Sequence, residues 1–166
     1  MFEMKPLSPD ALASAQEKAV RYRLLNEPRL AESVCRDILA LDPAHRDAAV
    51  TLVLSLCDQF RAKDGGMCKE ALGLVANLES EYDREYYTGV VCERRAIGKL
   101  EAARPGSGHM AHDLLLKAMA HFEAAEALSP PDNDAAVLRW NTCARIVNSR
   151  SDVTPAPEYS MPRLQE

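Results

Sequence analysis

The chain has 166 residues, 47% of them hydrophobic and 27% charged, enough to bury one core without disulfide or metal staples and too apolar for a disordered polymer. Its 20 Lys+Arg against 25 Asp+Glu leave a formal net charge of −5, which repels a phosphate backbone and speaks against nucleic acid or an anionic membrane as the main partner. The longest uncharged apolar stretch, Ala48 to Cys57, is about half of the roughly 20 residues a membrane-crossing helix needs. The opening Met-Phe-Glu-Met-Lys-Pro lacks a leader's apolar core, and five cysteines without a CxxC pair suit a reducing compartment, so a cytoplasmic location is expected.

Aromatic residues are only 5%, and Ala, Leu, Glu, Arg and Lys dominate, which predicts an all-α fold. Residues 1–8 form an N-terminal arm. Ser8-Pro9-Asp10 is a helix start, and apolar residues at 12, 15, 19 and 22 carry a first helix to Leu25. Asn26-Glu27-Pro28 breaks it and opens a second helix, with Leu30, Ala31, Val34, Ile38 and Leu41 on one face, closed by Asp42-Pro43. A third helix from His45 to about Ala62 is apolar nearly all round, as a helix between neighbours must be. Asp64-Gly65-Gly66 stops it. A fourth helix spans about Met67 to Leu78, and a fifth about Asp83 to Ala103, the junction between them lacking Gly and Pro. A sixth helix is expected from about His109 to Leu128 and a seventh from about Asn133 to Asn148. Residues 149–166, with Pro155, Pro157 and Pro162, read as an extended tail whose Tyr159, Met161 and Leu164 could anchor it.

Helical hairpins with small residues at fixed offsets raise the question of repeats. Ala19-x2-Tyr22, then Ala31-x3-Cys35 and Pro43, and again Ala118-x3-Phe122 and Pro130, share one spacing; Val53-x2-Leu56 with Ala71-x3-Val75 and Gly89-x2-Cys92 extend it. On these residues the chain resembles a tetratricopeptide-repeat protein over about residues 10–148. The resemblance implies hairpins at about 9–41, 45–80 and 83–128, stacked as a short right-handed superhelix of bacterial type, with a capping helix at 133–148.

Catalytic chemistry finds no motif: there is no GxSxG, HExxH or P-loop, and no cofactor signature. His109 and His112, three apart beside Asp113, are two ligands at most, so no metal is expected and a metal-dependent enzyme there is the weakest reading. His45 and His121 read as surface residues, and Glu79, Glu81 and Asp83 as acids of a solvated turn. Cys35, Cys57, Cys92 and Cys143 read as core, while Cys68, beside Gly66-Met67, is best placed for a lowered pKa. What the resemblance implies is a concave groove lined by the first helix of each hairpin: Gln16, Val20 and Arg23, then Val50, Leu54 and Asp58, then Tyr86, Val90 and Arg94. The expected function is non-catalytic, a protein–protein adaptor holding a peptide or partner helix in that groove. The alternative is a structural homo-oligomer with the groove filled by its own or a neighbour's tail.

Overall fold

The computed structural model describes residues 2–60 and 65–157 of the chain. Among these residues it has no strand and seven α-helices: α1 (Leu12–Leu24), α2 (Pro28–Leu41), α3 (Arg46–Cys57), α4 (Gly65–Ala76), α5 (Glu81–Ala102), α6 (Ser107–Ala127) and α7 (Ala135–Ser149), after a single 3-10 turn at Pro9–Ala11. None is long and apolar enough to cross a membrane.

Local chemistry sets the boundaries. Pro28 opens α2 at a position whose N–H would have no partner in the helix. His45, expected at the surface, is half-buried and caps α3: its Nδ1 accepts the Ala48 N–H at 3.2 Å. Ser80 caps α5 by accepting the Asp83 N–H at 3.3 Å, which supplies the break that Gly and Pro do not mark. Left-handed backbone at Ala103 (φ 47°) and Gly106 (φ 79°) turns the chain from α5 into α6. The third helix stops earlier than expected, at Cys57. Turn hydrogen bonds from Gln59 N–H to Leu56 O and from Phe60 N–H to Cys57 O bring the Phe60 ring into the core. Residues 61 and 62, expected to continue the helix, lie outside the described residues.

The helices pair as hairpins, α1 with α2, α3 with α4 and α5 with α6. The hairpins stand side by side: α1, α3, α5 and α7 touch in succession, and each second helix also packs on the first helix of the next hairpin, α2 on α3, α4 on α5 and α6 on α7. The small residues sit where backbones approach, since Ala19, Ala31 and Ala118 are all fully buried. Gly89 serves the same purpose on α5: a Cβ there would stand 2.6 Å from the Phe122 ring of α6. α7 closes the last hairpin, with Trp140 packed against the C-terminal core and its Nε1–H donated to Glu123 of α6 at 2.9 Å.

After α7 the chain folds back as a strap. Arg150 and Asp152 pair at 2.9 Å, the Val153 N–H bonds the Arg150 carbonyl, and the Val153 side chain is buried in the core of α5, α6 and α7. Gly108 seats it, because a Cβ at that position would collide with the Asp152 carbonyl. The first part of the tail is therefore docked in cis on the start of α6. Its expected anchors Tyr159, Met161 and Leu164 lie outside the described residues.

Candidate functional site

A depression of about 1010 Å³ lies along α1 and reaches α3 and α5. Gln16, Val20, Tyr22 and Leu24 come from α1, Arg46, Val50 and Thr51 from α3, and Tyr87 from α5. Val20 is 41% exposed and Leu24 79%. They are four residues apart, hence on one stripe of the helix. Lys18 and Arg21 stand on the same wall.

Most polar groups around this groove tie helices together. Gln16 Nε2–H donates to Thr51 Oγ1 at 3.0 Å and to the Asp47 carbonyl at 3.3 Å, fastening α1 to α3. Its Oε1 is buried without a partner. Arg46 makes a two-pronged pair with Asp83 of α5, Nε to Oδ2 at 2.7 Å and Nη2 to Oδ1 at 2.8 Å, and also meets Asp47. The Asp83 hydrogen bond, against some desolvation, pushes the Arg46 guanidinium above its ordinary range. Burial raises the Tyr87 phenol, so the ring enters the groove neutral.

Of the nine groove residues expected from sequence, Gln16, Val20 and Val50 line this depression. Arg23, Asp58 and Arg94 are brought together, but as a clasp across three helices: Arg23 Nε lies 2.7 Å from Asp58 Oδ2 and Arg94 Nη2 4.0 Å from Asp58 Oδ1. Leu54 is half-buried between two core clusters. Tyr86 stacks on Tyr82 at 5.6 Å and opens on a smaller recess beside α7 instead. Val90 is a correction: it is fully buried in the core shared with α6, and cannot meet a partner.

Sequence reasoning missed several polar residues. Asp83, taken for a turn acid, is 4% exposed and holds Arg46. Glu93 is 2% exposed and accepts from Arg139 Nη1 at 2.7 Å, joining α5 to α7. Burial disfavours the Arg139 charge, but Glu93 and the Tyr86 hydroxyl outweigh it, so the guanidinium is held above its ordinary range. Period was the available signal, because Glu93 follows Val90 by three residues on the inner stripe of α5, where an acid requires a buried cation.

No family model, curated protein or solved structure matches the chain.

Elsewhere, the His109 Nδ1–H donates to the Thr154 carbonyl of the strap at 2.8 Å, and His112 Nδ1 stands 3.5 Å from Asp113. Among the described residues no three His, Cys, Asp or Glu side chains are grouped to hold a metal ion. His121, expected at the surface, is partly exposed and pairs with Glu85 at 2.7 Å. Burial pushes the thiols of Cys35, Cys57 and Cys143 up to about 12 and raises that of Cys92. Cys68 is buried in the core with Ala71 and Val75, which removes the exposure that reactivity needs.

Proposed function

We propose that the chain is a tetratricopeptide-like adaptor of the cytoplasm, its hairpins wound as a short right-handed superhelix, that works by binding and not by catalysis. Its partner is a peptide or helix of another protein, lying in the groove of α1, α3 and α5. One observation carries this reading: Val20 and Leu24 stand exposed beside Val50 and Tyr87, while Arg46 and the Gln16 Nε2–H beside them are held by Asp83, Asp47 and Thr51, so apolar surface is the main gain of a docking ligand. The homo-oligomer is a second reading, favoured by the strap, because the tail already binds this chain's own surface at Val153. Its described part lies on α6 and not in the groove.

Affinity capture from the native host with the intact chain and with Val20→Glu tests the adaptor reading. Partners retained by the intact chain and lost by the variant, both monomeric by light scattering, are the expected result. An identical capture set, or a dimer dissociated by Val20→Glu, contradicts it.

A further inference from the structure

A second depression, about 600 Å³, adjoins the groove at Arg46 of α3. Arg36 of α2 and Glu70 of α4 pair at 2.8 Å, and the gap between these two helices is also lined by Leu39 of α2, by Leu74 of α4 and the buried Leu78 after it, by Ala49 of α3, and by the paired Arg46 and Asp83. Pro43 and Ala44 form one end, and the turn from Leu78 to Ser80 the other. Its lining is largely aliphatic, and of the acids in it Asp83 is paired with Arg46 while Glu79 makes no ion pair among the described residues. Residues 42–47 and 79–84, which frame it, carry five acids (Asp42, Asp47, Glu79, Glu81, Asp83) against two arginines.

Both arginines are already spent. Arg46 is held by Asp83 and Asp47, and Arg84 Nη1–H donates to the Leu78 and Glu79 carbonyls at 2.7 and 2.8 Å. Among the described residues Asp42, Glu79 and Glu81 make no ion pair, and of these Glu79 lines the slot. α2 and α4 also end here, neither with a basic residue in its last turn, so the negative ends of two helix dipoles add to the rim. The capped starts of α3 and α5 carry Asp47, Glu81 and Asp83, which offset their positive ends.

From this pairing of an aliphatic slot with unneutralised acid we infer that the gap between α2 and α4 is a docking site for a basic segment of a partner protein, in which the stem of an arginine or lysine, or a leucine beside one, lies on Leu39, Leu74 and Leu78 and the cation meets Glu79 and the helix ends. Long cationic side chains suit such a place because their methylenes cover apolar surface while the charge stays at the rim. Leu39, Leu74 and Leu78 do not line the groove, although Arg46 lines both depressions. The affinity of the contact depends on salt, as the attraction acts between exposed charges.

The test uses the full chain, labelled with ¹⁵N, and two synthetic peptides, acetyl-Gly-Arg-Leu-Arg-Gly-amide and the same sequence with glutamate for arginine. The expected result is saturable amide shifts at Leu39, Ala44, Ala49, Leu74 and Leu78 with the arginine peptide alone. They weaken at least threefold in the double variant Glu79→Gln, Glu81→Gln, and again on raising salt from 50 to 300 mM with the unaltered chain. Both positions are exposed, so the variant keeps its fold, and the salt series needs no variant. The inference is overturned by equal shifts with the glutamate peptide, by shifts confined to Val20, Val50 and Tyr87, or by the absence of saturable shifts. It is equally overturned by concentration-dependent shifts at these residues without peptide, which would assign the slot to a second copy of the chain.

Discussion

The two ends of the molecule use the same unit, a helical hairpin, and hold it together by different means. At the C-terminal end α5 and α6 are 22 and 21 residues long and meet along a seam where the Phe122 ring lies on Gly89; α7 and the strap then cover it. At the N-terminal end the helices are 12 to 14 residues long, and α1 is fastened to α3 through Gln16 and through Arg23 with Asp58. Among the described residues no helix covers the outer stripe of α1, and Val20 and Leu24 stay exposed there. A closed end supplies rigidity, and an end left open supplies surface.

The comparison breaks most visibly at Phe122. Phe122→Ala removes a fully buried ring, which costs about 3–5 kcal/mol by transfer and cavity terms together. Urea unfolding followed by Trp140 fluorescence should show it, with amide exchange accelerating in α5–α7 before α1–α2. Equal acceleration at both ends would mean that the array opens as a single unit.

The buried pair of α5 and α7 comes next. Arg139→Met leaves the Glu93 carboxylate buried and unpaired; allowing for the partial exposure of Arg139, the expected loss is about 2 kcal/mol. Adding Glu93→Leu should restore part of it, since an apolar pair asks for no counter-charge. No recovery in the double variant would show that the pair acts through packing alone.

Much of the array was legible in sequence, because prolines and small residues act locally. Pro28 and Pro43 bracket α2, and Ala19, Ala31 and Ala118 mark the close contacts. Of the nine lining residues expected, Gln16, Val20 and Val50 face the depression. A groove residue is defined by what stands across from it, and a helical period cannot tell Val20, which faces open space, from Val90, which faces α6. Polar ties were the least legible, because Asp83 needs Arg46 and Glu93 needs Arg139, partners 37 and 46 residues away.

A smaller effect is expected at the strap. Gly108→Ala sets a methyl against the Asp152 carbonyl, displaces the strap and costs about 1–3 kcal/mol as overpacking. Deleting residues 150–166 should lower the melting temperature comparably and speed amide exchange around Ser107 to Ala111. A melting temperature unchanged by both would show that Val153 contributes nothing to the closed end.

The thiols give the smallest signal and reach both ends. Cys35, Cys57 and Cys143 are raised by burial from the ordinary 9.0 to about 12, so folding favours the neutral thiol. Their contribution to stability is complete below pH 9 and is lost as pH climbs toward 12. Iodoacetamide at pH 8 should leave these three unmodified in the native chain and label all of them in urea. Rapid native labelling of Cys35 but not Cys143 would place the looser packing at the open end.

The central claim, that recognition belongs to the open end, is tested most directly by photocrosslinking in the native host from two positions of similar exposure: Val20 in the groove, 41% exposed, and Leu116 on the outer face of α6, 48% exposed. With p-benzoylphenylalanine at position 20, discrete crosslinked partner bands are predicted, and at position 116 none of those bands. The same bands from both positions, or from 116 alone, would contradict the account.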